Sequence, residues 1–296
     1  MDSNDSEVYA DISLKGKIKM SNKTTTNSTN KSGIKWTLSK AFTPQGKISK
    51  SSVIILSVSA FAIILAVWSL LTYTGIIAEI LLPTPTKTVQ MGIRLFVEKG
   101  YSNDVWMTVC RVMGGFIIAT VVAVPLGILI GVYAPVSAFL EPIFSFVRYM
   151  PASAFIPLFI LWIGIGEQEK MAVIILGSLP QLVLMIATAT RNVSKSLIEV
   201  SYTLGTTKSN VLWKIILPKS MPAIVDTLRI VLGWAWTYVI VAEMVGASSG
   251  IGFMIIQSQR MLSTPKMFVG ILTIGFIGLI VDVGLRIFNK KVFTWN

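Results

Sequence analysis

The chain has 296 residues, 53% hydrophobic and 14% charged, with a mean hydropathy of +0.71. Soluble domains do not reach that balance, so this is an integral membrane protein. A single cysteine, Cys110, excludes an intrachain disulfide framework, and the lack of histidine removes the commonest metal ligand, proton shuttle and triad base.

The formal net charge of +12 is banded along the chain rather than spread. Nine lysines lie in residues 1–50, five basic residues between Arg191 and Lys219, and three at Arg286, Lys290 and Lys291, together 17 of the 26. Such banding follows the positive-inside rule and argues against a nucleic-acid surface.

Residues 1–50 are expected to form a cytoplasmic tail. Residues 1–33 are rich in Ser, Thr, Asn and Lys and too poor in apolar surface to fold alone, so they are predicted to be disordered. Met20 is an alternative start that would remove all four acidic residues of the tail. No signal peptide is expected, because no apolar core followed by a cleavage site precedes residue 50. The tripeptides at Asn22, Asn27 and Asn30 match the glycosylation pattern by chance if the tail is cytoplasmic. Ile34, Leu38, Ala41 and Phe42, flanked by Lys35 and Lys40, predict a short interfacial helix over 34–42.

A six-span permease domain is predicted over residues 51–291. Val53–Thr72 is the first span, about 30 Å long at helical rise. Leu82-Pro83-Thr84-Pro85 is a rigid elbow, followed by a surface helix from Thr86 to Glu98. The second span is 106–132. The third, 137–164, is interrupted by Pro142, Pro151 and Pro157; the fourth, 171–190, is kinked at Pro180. A polar, basic island over 191–222 leads to the fifth span at 223–245. The glycine-rich stretch GASSGIGFMIIQSQR is too short to cross, so a re-entrant or surface piece is expected before the sixth span, 267–288. An even count places the island and both termini on the cytoplasmic side, in agreement with the three basic clusters.

Within the island, Glu199–Pro218 reads EVSYTLGTTKSNVLWKIILP, two short helices hinged at Gly205. Leu197, Val200, Ser201 and Leu204 recur at helical spacing before the hinge, and Val211, Leu212, Ile215 and Ile216 after it. Glycine suits a reversal that needs left-handed backbone, and Pro218 is expected to end the second helix. Each piece shows an apolar face that needs a partner to bury it.

The register of Glu199, Gly205, Ile215, Leu217 and Pro218 resembles the EAA loop of binding-protein-dependent ABC importer permeases, departing where that pattern has alanines, at Val200 and Ser201. LLPTP, RVMGGFIIATVVAVPLGILIGV and RYMPASAFIPLFILWIGIGE extend the resemblance to the nitrate, sulfonate, taurine and bicarbonate branch, over roughly residues 50–290. The resemblance implies an all-α membrane protein of the type I importer permease fold in a bacterial inner membrane. It implies a coupling role for Glu199, Val200, Ser201, Leu204, Gly205, Ile215, Leu217 and Pro218 against an ATPase subunit. Two permease copies in lipid, most simply a homodimer, would enclose the pathway, and an external binding protein would deliver a small solute, favouring an anion. No phosphate-binding loop is present, since GTTKS at 205–209 lacks the first glycine and a preceding strand. ATP and Mg²⁺ are therefore expected on the partner, with no catalytic residue, cofactor or metal on this chain.

Charges inside spans are costly, about 2.5–3.5 kcal/mol for a central arginine. Two readings stand for Arg148: attraction of an anion in the pathway, or snorkelling to the headgroups. Arg229 is expected to snorkel. Glu243 either pairs with a basic residue or lines the outer gate. Asp282 and Arg286, at i and i+4, predict an intrahelical ion pair. Trp236 and Tyr238 are candidates to line the pathway, against packing as the alternative. Gly127 and Gly131 have small-xxx-small spacing and predict close helix approach, in the scaffold or a dimer.

The competing function is a secondary carrier driven by an ion gradient. It would want acidic or histidine groups at mid-membrane, and Glu243 is the one weak candidate. An intramembrane enzyme would need an acid and base at workable spacing, which the sequence does not offer.

Overall fold

The computed structural model describes residues 49–294, in which every regular element is helical. The expected tail and its interfacial helix lie outside these residues. The chain divides into two units, up to Phe61 and from Ala62. The first contributes, among described residues, only the opening half of α1, Lys50–Tyr73. That helix is apolar all round, as suits contact with lipid. Within the second unit Trp68 Nε1 donates to the Pro83 carbonyl at 2.9 Å and its ring stacks on Phe268, fixing the proline elbow to the end of α1.

The elbow ends where Thr84 caps α2, Pro85–Glu98, its hydroxyl accepting from the Lys87 N–H. Proline at the first turn loses no hydrogen bond there. α3 spans Tyr101–Val132 and packs along α6, Glu167–Arg191. The reason is a ridge of small residues every four positions: Gly115, Ala119, Ala123, Gly127 and Gly131. A Cβ on Gly127 would lie 2.7 Å from Ile186 Cβ and 2.9 Å from the Val183 carbonyl; one on Gly131 would meet the Ala187 carbonyl at 2.7 Å. The expected small-residue contact is thus scaffold packing within one chain.

The predicted third span is a broken pair. α4, Ala134–Arg148, is bent by 82° from the segment Ala152–Ile163, which is a tight turn at Ala152–Phe155 followed by α5, Ile156–Ile163. Pro151 and Pro157 lack the N–H groups that would carry a helix through the bend. Among the described residues five other helices are long and apolar enough to cross a membrane, giving six candidate spans if the bent pair counts as one.

α7, Lys195–Thr203, and α8, Lys208–Val211, follow α6. A wide turn at Leu212–Ile216 joins α8 to α9, Leu217–Met244, so one helical run extends from Lys208 to Met244. This corrects the expectation that Pro218 stops the second helix. The Leu217 N–H reaches back five residues to the Leu212 carbonyl, and that widened turn relieves the clash a proline ring would otherwise make with the preceding turn. α10, Ile251–Arg260, is too short to cross, and α11, Thr264–Val292, completes the chain.

The main core lies where α3, α6 and α9 meet, around Val112, Ala119, Leu182, Ile186, Val231 and Ala235. The 32 residues of α3 extend about 48 Å. The α7–α8 hinge lies at its C-terminal end, where Val132 packs with Val193, Val211 and Ile216. The α9–α10 loop lies near its N-terminus.

Candidate functional site

The hinge is a helix stop with all its backbone bonds made. Gly205 has φ of 78°, in the left-handed region. Its N–H donates to the Tyr202 carbonyl at 2.9 Å and the Thr206 N–H to that of Ser201 at 3.1 Å, closing the last turn of α7 in a Schellman motif. Thr207 then caps α8 by accepting from the Asn210 N–H. Two short helices that are each unstable alone are held at a set angle by these caps.

The faces of the two helices are used differently. α8 and its wide turn bury Val211 and Ile216, with Ile215 half-buried beside them. On α7, Ser201 is buried with its hydroxyl donating to the Leu197 carbonyl, while Leu197, Val200 and Leu204 are exposed by 42%, 54% and 79%. The apolar pattern therefore has two halves, one packed on the chain's own spans and one facing out. Glu199 and Pro218 are exposed, and Leu217 lines an apolar groove with Trp213 and Met221.

At the other end of α3 a charge network lies inside the protein. Arg111, 2% exposed, donates through Nη1 to Glu243 Oε1 at 2.7 Å and to the Ser249 carbonyl at 2.8 Å. Its Nε and Nη2 grip both oxygens of Glu167 at 2.5 and 2.7 Å, a bidentate pairing open only to guanidinium. Glu243 is fully buried and also accepts from Thr108 Oγ1 and from the Gly252 N–H, each at 2.8 Å. Thr108 in turn accepts from the Ile251 N–H. The network joins α3, the start of α6, the end of α9 and the loop into α10. Gly250, φ 113°, is required there: a Cβ would sit 2.5 Å from the Glu243 carboxyl and 2.6 Å from Arg111 Nη1. One turn along α6, Glu169 and Lys170 are buried as well, and Lys170 Nζ donates to the Gly166 carbonyl.

Of the two readings for Glu243, a basic partner or a place at the outer gate, the structure has the partner, Arg111, and no open surface. The other pathway candidates are scattered. Trp236 is 3% exposed in the core, and the Tyr238 ring lies against Gly177 of α6. Arg148 is exposed at the end of α4, its guanidinium 5.0 Å from the Tyr149 ring centroid. Arg229 does not snorkel freely: Nη1 donates to Asp282 Oδ1 at 2.6 Å across α9 and α11, and Asp282 also holds Arg286 in the expected intrahelical pair. Arg111, Glu167 and Lys170 were not singled out from the sequence. A signal existed for the first, an arginine inside an apolar run with a glutamate inside another.

Among the described residues, up to six candidate spans, the third of them broken, and a capped helical hinge between the fourth and fifth define a polytopic membrane permease. The comparisons agree. Residues 123–294 match the family described as binding-protein-dependent transport system inner membrane component. A probable ABC transporter permease of Brucella abortus is 33% identical over 81% of this chain and 95% of its own length. A putative aliphatic sulfonates transport permease of Bacillus subtilis is 31% identical over 79% and 85%, and the taurine transport permease of Escherichia coli 29% identical over 81% and 90%. The MetNI methionine ABC transporter, solved in inward-facing conformations, shares the fold with a TM-score of 0.59 at 22% identity, over 64% of this chain and 95% of that one. The chain belongs to the binding-protein-dependent ABC importer permease family. It is a membrane permease subunit of the branch with taurine, sulfonate and bicarbonate relatives, a family that works with ATPase and binding-protein partners.

Proposed function

We propose that this permease forms half of a translocation pathway for a small anion of the sulfonate, taurine or bicarbonate type. An external binding protein delivers the solute, and two copies of the chain enclose the pathway. ATP and Mg²⁺ bind on ATPase chains that dock on the hinge. The observation that carries this reading is the exposed apolar strip Leu197, Val200 and Leu204 on a helix whose caps fix its direction. An apolar strip of that kind at a membrane surface is a seat for another protein.

The force path follows from connectivity. α8 runs into α9 without a break, so a cleft that moves the hinge moves the fifth span with it, and α7 passes the same displacement to α6. Glu199 stands free on the docking face to meet a basic group. The basic residues of the island and those at the end of α11 share this end, since Asn289 Nδ2 bonds the Pro222 carbonyl at 3.0 Å, which supports a cytoplasmic hinge and C-terminus. The relatives' printed substrates support the solute class.

The test is reconstitution with the ATPase and binding protein in proteoliposomes. L197E/L204E is expected to abolish both ATPase capture and solute uptake while the permease still folds. Uptake by a variant that no longer holds the ATPase would overturn the reading.

A further inference from the structure

The α2–α3 corner faces the α10–α11 corner across a cavity of about 320 Å³ near the N-terminal end of α3. Leu95 and Met254 form buried apolar walls, and Lys99, Asp104, Gln257 and Lys266 supply the polar ones. Among the described residues neither Lys99 nor Lys266 has a carboxylate within ion-pair distance, whereas Arg94 beside them is already taken by Glu98 at 2.8 Å. Asp104 faces the same space, and its Oδ1 accepts from the Gly250 N–H at 2.8 Å. Two lysines against one carboxylate, with Arg94 close by, give the cavity a basic lining. Like charges brought together in a partly enclosed space attract an anion more strongly than the same groups spread over a surface.

We propose that this cavity is a binding site on the permease itself for a small organic mono-anion, a sulfonate or carboxylate. Lys99 and Lys266 hold the charged end, the Gln257 amide donates a further hydrogen bond, and the Leu95–Met254 wall receives a short alkyl part. Asp104 on the same wall disfavours a second negative group, which selects a mono-anion over a dianion. The site is tied to the moving parts: the Gly250 that Asp104 holds is packed against Glu243 and Arg111, so an occupant bears on the α9–α10 loop and on the charge network. The choice of a sulfonate as probe rests on the substrate reading above; the site rests on its own residues.

The experiment is calorimetric titration of the full-length permease in nanodiscs with sodium methanesulfonate at fixed ionic strength, without ATPase or binding protein. Saturable binding is expected, weakened about tenfold or more in K99Q/K266Q. It should be unchanged in K195Q/K208Q at the hinge end, with the melting temperatures of both variants kept. Absence of saturable binding by methanesulfonate and by acetate overturns the proposal, as does equal binding by K99Q/K266Q. If methanesulfonate binds through these lysines while the assembled transporter imports no sulfonate, the substrate reading fails and the site stands.

Discussion

Arg111 and Glu243 lie on different spans 132 residues apart in sequence and meet at 2.7 Å where both are hidden from solvent, 2% and 0% exposed. A buried pair of this kind adds little against an apolar replacement, but breaking it leaves one charge stranded. R111A should therefore cost about 3–5 kcal/mol, and R111M/E243M much less than the sum of its single changes. Thermal melting of the detergent-solubilised variants measures both.

Gly127 answers for the approach of α3 to α6. G127V should force the helices apart, because a Cβ at 2.7 Å from Ile186 and 2.9 Å from a backbone carbonyl has nowhere to go. A loss of about 1–3 kcal/mol is expected, read as a lower melting temperature, while a similar change at Gly233, whose Cβ would meet nothing within 4 Å, should be neutral.

Gly205 has space for a side chain but the wrong φ for one. G205V should weaken the hinge by about 1–2 kcal/mol and uncouple ATP hydrolysis from uptake. G205N should be the mildest replacement, since asparagine tolerates left-handed backbone. Parallel ATPase and uptake assays would show the ranking, and normal coupled transport by G205V would count against the hinge as the coupling element.

The Arg229–Asp282 bond joins α9 to α11 with 21% and 31% of each side chain exposed. Each member has a second partner, Asp226 for Arg229 and Arg286 for Asp282, so a double-mutant cycle with R229Q and D282N should give a coupling below about 1 kcal/mol. The contrast with Arg111 and Glu243 tests whether burial, rather than pairing, sets the cost.

Sequence determined much of this protein because membrane spans and helix stops are local. Twenty apolar residues in a row must satisfy their backbone within the segment, so the candidate spans and the short α10 were legible from hydropathy. Gly205 was legible because left-handed backbone selects glycine at one position, and the EAA register because its spacing is contained in twenty residues. Pro218 was misread for the same local reason: whether a proline ends a helix depends on whether the turn before it can widen, which rests on how Val211 and Ile216 pack against Val132. The pairing of Arg111 with Glu243, the burial of Trp236 and the cavity between two corners were decided by tertiary structure alone. Each depends on which helix faces come together, and depth in a membrane restricts a charge to a layer without naming its partner.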